Sequence, residues 1–223
     1  MIKAEDLRYS ADYPGALCGL VEKELGVPCL FLQGAAGDLS ANPMEEGGPV
    51  RFGQKLGREA LALVNSIQCP TAEKTTLRTA EENFQFRTRV DLGNPLIKAG
   101  FVRAFFRGIV DFYEREYQQG VRPHLSVALL DNQIAFVGVS GEFFCSHSIN
   151  LKRRARLPHL FFLGYCNDYQ QYFPTIEAAA EGGYGASAGV STAEVGAGEL
   201  MMDHALGHLY RMQGKLEDLK LSR

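Results

Sequence analysis

A carboxylate, a hydroxyl and an amide stand close together at Asp38, Ser40 and Asn42, in the stretch FLQGAAGDLSANP. A lone carboxylate, Glu142, follows the apolar run IAFVGVSGE. An amide and two phenols, Asn167, Tyr169 and Tyr172, follow a third run in LFFLGYCNDYQQYFPT. Groups of this kind carry acid–base, nucleophilic and metal-assisted chemistry. In layered α/β folds, ligands sit outside the carboxyl ends of strands. Three apolar runs that each end in polar residues therefore suggest a shared site more strongly than any one of them.

Each group also has a plainer explanation. Glu142 suits a helix start, where free N–H groups and the helix dipole favour an acid. Tyr172, near Pro174, suits a packing residue with a hydrogen-bonded hydroxyl. Ser40 lacks the G-x-S-x-G elbow of the α/β-hydrolases. His204 and His208 have the i,i+4 spacing that can grip a metal, but Ala205 stands where a metalloprotease has its glutamate. Both histidines fall on the polar side of a helix whose inner side carries Met202, Leu206 and Leu209. KRRAR at 152–156 complements a helix C-terminus. The glycines of GGYGASAG lack the GK[ST] ending of a phosphate loop.

Helices and strands must position these groups. The spacing predicts a short strand in LRYSADYPG and a helix that begins around Pro14 and stops at Gly26. It predicts a buried strand over PCLFLQG and a helix from about Val50 to Gln68. TLRTAEENFQFRTRV has strand character. Val102, Phe105, Phe106, Ile109, Val110 and Tyr113 predict a helix that ends near Gly120. LSVALLDNQIAFVGVS reads as a hairpin turning at Asp131-Asn132. A helix over Phe143–Arg156, a buried strand at HLFFLGY, a glycine-rich loop and a last helix from Gly198 follow. Strands alternating with helices predict a layered α/β fold, and the hairpin makes its sheet mixed.

The chain has 223 residues, 46% hydrophobic and 22% charged, with net charge −3. That balance gives no attraction to nucleic acid. No apolar run reaches the roughly 20 residues of a membrane span. The polar start has no signal-peptide core. Cys18, Cys29, Cys69, Cys145 and Cys166 form no CxxC pair and read as free thiols.

The motifs SADYPG, FLQGAAGDLSANP, GVSGEFF, GYCNDYQQYFPTIEAAAEGGYG and VGAGE occur in that order. Together they resemble the neutral ceramidase family, from about Tyr9 to Glu199. The resemblance implies an αββα-type α/β sandwich, with residues 1–223 a single portion of the catalytic domain. It implies zinc-dependent hydrolysis of the N-acyl amide of ceramide or a similar lipid amide. It points to Glu142 and Tyr172 as metal ligands and to Ser40 and Tyr184 as catalytic residues. Asp38, Asn42 and Asn167 are then expected beside the substrate. Residues 40, 142, 172 and 184 should converge on one pocket.

Two substitutions depart from the pattern: Ala41 replaces a proline, and Gly185 stands where relatives often carry glutamate. The family's two zinc histidines lie upstream, and no histidine precedes His124. The chain thus resembles an N-terminally truncated version, with zinc weakly held or absent and hydrolysis impaired. Apolar surface exposed by the missing part is expected to drive self-association or binding of a partner. Two rival readings follow: a non-catalytic remnant that serves as a binding module, and a metal-free serine hydrolase that uses Ser40.

Overall fold

The computed structural model describes residues 9–42, 44–69, 74–104, 107–117 and 119–217. The chain falls into two compact units, one of residues 1–32 and 40–73, the other of 33–39 and 74–223.

The first unit is a pair of helices, α1 (Asp12–Leu25) and α2 (Pro49–Ser66). Gly26 ends α1 in the left-handed conformation, and its N–H donates to Glu22 O. Pro49 opens α2, where its missing N–H costs nothing. Gly53 and Gly57 let the two helices meet. A Cβ on Gly53 would come within 2.2 Å of Tyr13 O, and one on Gly57 within 3.0 Å of Leu20 Cδ2. The Tyr13 ring packs edge-on to Phe52 at 5.1 Å and to Phe31 at 6.0 Å.

The strand expected over PCLFLQG does not form. Among the described residues no strand pairs with it, and Leu30 and Leu32 are exposed. A strand needs a partner for its backbone groups, and apolar sequence alone does not supply one. Tyr9 and Ser10 are likewise irregular, while Leu7 and Arg8 lie outside the described residues.

The second unit carries β1 (Leu77–Asn83), α3 (Pro95–Ala104), α4 (Arg107–Glu116), β2 (His124–Leu130) and β3 (Ile134–Val139). It continues through β4 (Glu142–Phe143), α5 (Cys145–Ala155), β5 (His159–Leu163), β6 (Tyr172–Phe173), α6 (Ile176–Glu181) and α7 (Ala197–Met212). The main sheet has the order β1-β2-β3-β5. The first three strands are antiparallel, and β5 is parallel to β3. The fold is therefore a layered α/β arrangement with a mixed sheet. Asp131 and Asn132 make the hairpin turn with φ of 51° and 53°. Their short polar side chains tolerate that conformation better than most. Of the helix expected up to Gly120, the described residues form α3 and α4; Phe105 and Phe106 lie outside the described residues.

One face of the sheet holds the core. Leu125, Val127, Leu129, Val137, Val139 and Phe162 meet Leu151 of α5 and Met201, Ala205 and Leu209 of α7. Each fully buried side chain of this size contributes about 1.5–3 kcal/mol. The other face carries His124, Ser126, Ala128, Phe136 and Phe161, at strand positions that alternate with the core residues.

Candidate active site

The site grows from the end of β3. Ser140 is buried, and its Oγ accepts from His124 N at 3.0 Å, which ties the strand end to β2. Gly141 then turns with φ 130°, and a Cβ there would lie 2.6 Å from Gln171 O. That absence of a side chain lets Gln171 O accept from Glu142 N at 2.7 Å. The two short strands β4 and β6 therefore pair in parallel, with Glu142 opposite Tyr172 and Phe143 opposite Phe173. The Phe143 and Phe173 rings stack at 4.5 Å and close the ladder on its core side.

The loop from β5 to β6 is coiled by three non-glycine residues in left-handed conformations, Tyr165 (φ 55°), Asn167 (φ 63°) and Gln171 (φ 62°). Its backbone is held by Tyr165 N donating to Gly141 O and by Cys166 N donating to Val139 O. Tyr165 and Tyr169 are thereby stacked, 5.7 Å apart and 3° from parallel. Tyr169 Oη donates to Glu142 Oε1 at 2.7 Å. Burial first, and then hydrogen bonding to Glu142 and its charge, push the Tyr165 and Tyr169 hydroxyls well above the ordinary phenol range. For Tyr172 burial again leads, followed by hydrogen bonds with Tyr184 and Glu142. These phenols are neutral hydrogen-bond donors around one carboxylate.

Tyr184 completes the group. Its ring meets that of Tyr172 edge-on, 5.6 Å away at 71°. Gly185 makes this approach feasible: its φ is 83°, and a Cβ would press within 3.2 Å of both the Tyr172 and Phe144 rings. Any side chain at this position would meet the same crowding. Tyr113, whose hydroxyl is pushed up by burial and then by Tyr184, helps line a cavity of about 370 Å³ with Val90, Leu92, Tyr117 and Thr192.

The structure thus brings together Glu142, Tyr172 and Tyr184, three of the four residues expected to converge. Ser40 belongs to the first unit, where its hydroxyl donates to Ala41 O at 3.5 Å. Asn42, in the same unit, donates to Glu45 Oε1. Asp38 accepts from Cys145 N at 2.7 Å and from Cys145 Sγ at 3.1 Å, which anchors the first turn of α5. Asn167 points to Ser126 Oγ at 3.0 Å. The small residues before Asp38 serve backbone contact. Gly37 N donates to Phe143 O, and a Cβ on Gly37 would lie 2.5 Å from Glu142 O.

Sequence reasoning gave Tyr165 no role and Tyr169 none specific to Glu142. The spacing Tyr165, Tyr169, Tyr172 was the available signal. His204 and His208 are not a free polar pair. Both reach Glu82 of β1, at 2.9 Å each. His147 is buried against the Phe143 ring, and burial first of all lowers its pKa.

No protein-family model matches this sequence, and no curated protein matches it significantly. Solved structures do. The neutral ceramidase from Pseudomonas aeruginosa superposes with a TM-score of 0.69 at 12% identity, over 100% of this chain and 44% of the other. A structure described as ceramidase complexed with C2 gives 0.68 at 13% identity, over 98% and 45%.

The fold is that of neutral ceramidase.

The chain spans less than half the length of the ceramidase structures it matches. Within the ceramidase fold, Glu142 and Tyr172 offer two hard oxygen donors on adjacent strands. A catalytic zinc takes three protein ligands and a water. Among the described residues no group of three or more His, Cys, Asp or Glu side chains is arranged to hold a metal. Glu142 and Tyr172 alone therefore fall short of the donor set of a whole zinc site. Among the described residues no helix is long and apolar enough to cross a membrane.

Proposed function

We propose that the Glu142–Tyr172–Tyr184 cluster is one side of an amide-hydrolysing centre of the neutral ceramidase kind, acting on N-acyl lipid amides. The observation that carries this reading is the direct pairing of Glu142 with Tyr172 across a two-residue ladder, with the Tyr184 ring set against Tyr172. In this reading Glu142 and Tyr172 face the metal, and Tyr169 holds the Glu142 carboxylate in place. Tyr184, 82% exposed and so open to a ligand, donates to the oxyanion that develops on the attacked carbonyl. The histidine ligands come from polypeptide other than the described residues. By itself this chain then holds zinc weakly and hydrolyses little.

The test is to measure hydrolysis of a fluorogenic N-acyl amide with added zinc. It is run on the chain alone and on the chain joined to a segment that carries the two family histidine motifs. Activity only in the joined protein, lost in Glu142→Ala, is the expected result. Full activity in Glu142→Ala refutes the assignment.

A second reading has one observation in its favour, the incomplete ligand set. The chain is then a non-catalytic module that binds a ligand or partner through this face. It predicts a melting temperature that neither zinc nor a chelator moves. Self-association belongs to either reading, because Leu77 and Phe161 stand exposed on the open side of the sheet.

A further inference from the structure

The open face of the main sheet carries a second polar constellation, remote in role from the tyrosine cluster. Asn83 of β1 lies directly opposite His124 of β2 in the ladder. Asn83 Oδ1 is 2.9 Å from His124 Nδ1. His124 Nε2 is 3.1 Å from the Oγ of Ser126, two residues along the same strand and so on the same face. Asn167 Nδ2 donates to that same Oγ at 3.0 Å.

With Asn83 Oδ1 facing the imidazole, one tautomer of His124 gives this chain a consistent hydrogen-bond polarity. Asn83 Oδ1 only accepts, so His124 carries its proton on Nδ1. Nε2 is then a bare lone pair aimed at Ser126. Ser126 Oγ accepts from Asn167 and has its own proton left to give to Nε2. This is the arrangement of a hydroxyl nucleophile, its general base and the group that orients the base. The backbone supports it, since His124 N and O both engage Ser140 Oγ.

We propose that Ser126 is an acyl-accepting nucleophile activated by His124, with Asn83 as its positioning residue, in a metal-independent esterase site on this face. Ser126 Oγ attacks the ester carbonyl and its proton passes to His124 Nε2. The alkoxide leaves with that proton. Water then cleaves the acyl-enzyme, giving one proton to Nε2, which returns it to Ser126. Asn167 Nδ2, released from Oγ, is placed to donate to the developing oxyanion.

The neighbours indicate the substrate class. Gly138, the register partner of Ser126 on β3, has Cys166 packed over it, a Cβ there falling 2.5 Å from Cys166 Sγ. Beyond it Phe136 and Phe161 stack at 5.2 Å and offer an apolar bed for the acyl group. Exposed Glu81, the partner of Ser126 on β1, disfavours an anionic alcohol. The site therefore takes uncharged or cationic esters of apolar acids.

The experiment is labelling of the full chain by a fluorophosphonate, in EDTA so that the outcome does not depend on the zinc reading. The Oγ–P bond forms, fluoride leaves and the proton passes through His124 to water. One adduct is expected, mapped to Ser126 by peptide mass and absent in Ser126→Ala. His124→Gln should slow labelling about 100-fold. Asn83→Leu should slow it about tenfold, and Asn83→Asp, which keeps the acceptor on Nδ1, should restore it. Hydrolysis of 4-nitrophenyl butyrate in EDTA should follow the same order. No adduct at Ser126, an adduct at Ser40 instead, or equal rates for the Leu and Asp variants overturns the proposal. Should Ser126→Ala fail to fold, the mapped adduct on the wild-type chain and the Asn83 pair decide the matter.

Discussion

Gly185→Ala tests whether the close approach of Tyr184 to Tyr172 rests on a missing side chain. Two costs add. A left-handed backbone costs a non-glycine residue about 1–2 kcal/mol. The new methyl would also sit 3.2 Å from Tyr172 Cδ1 and from Phe144 Cε1, and displacing two packed rings adds at least about 1 kcal/mol. The expected total is about 2–3 kcal/mol. Gly214, at φ 68° in the same unit with nothing within 4 Å of its Cβ position, isolates the first cost. Gly214→Ala should lose only about 1–2 kcal/mol. Urea unfolding followed by circular dichroism gives both values. The chain has nine tyrosines and no tryptophan, so tyrosine emission is read without tryptophan, and Tyr165, Tyr169, Tyr172 and Tyr184 contribute four of the nine fluorophores. An emission change in Gly185→Ala and none in Gly214→Ala is expected. If Gly185→Ala is no less stable than Gly214→Ala and leaves emission unchanged, the steric argument fails.

Other consequences are directly measurable. Burial pushes the Glu82 carboxyl up, but hydrogen bonds and charge from His208 and His204 outweigh it and bring the group below its ordinary value. A depressed folded pKa gives stability that is present above the unfolded value of about 4.5 and lost as pH falls through the folded one. Glu82→Gln should thus be less stable than wild type by about 0.5–1 kcal/mol at pH 6, with the gap narrowing toward pH 3.5 in urea titrations. Asp38→Ala leaves Cys145 N without its acceptor and should cost about 1 kcal/mol in the same assay. Gly37→Ala forces a methyl toward Glu142 O and should cost about 1–3 kcal/mol, whereas Gly19→Ala, in open space on α1, should gain about 0.5–1 kcal/mol. In a form that hydrolyses N-acyl amides, Tyr184→Phe should lower kcat about 10²–10³-fold and leave KM nearly unchanged.

The helices were legible because their apolar spacing and stop residues are local: Gly26 and Pro49 mark boundaries that the backbone obeys. The hairpin was legible for the same reason, through Asp131-Asn132. PCLFLQG misled because strand formation is a property of the neighbour as well as of the segment. The β4–β6 ladder is two residues long and leaves no periodic trace. The left-handed turns at Tyr165 and Gln171 use residues that ordinarily avoid that region, so nothing in their identity announces the coiled loop. Glu142 and Tyr172 stood out at the ends of apolar runs, while their roles and Tyr184 came from likeness to a family. The hydrogen bonds themselves were not legible, since the contact of Tyr169 with Glu142 spans 27 positions and the separate contact of Glu82 with His208 spans 126.

The seven-residue excursion of 33–39 has a mechanical consequence. The chain leaves the helical pair, lends Gln33 O to Gly164 N, Gly37 N to Phe143 O and Asp38 to Cys145 N, and then goes back to the helices. The two bodies are therefore stitched together three times by covalent chain. Nicking the polypeptide between Cys69 and Lys74 should yield fragments that separate on a denaturing gel and travel as one species in native buffer.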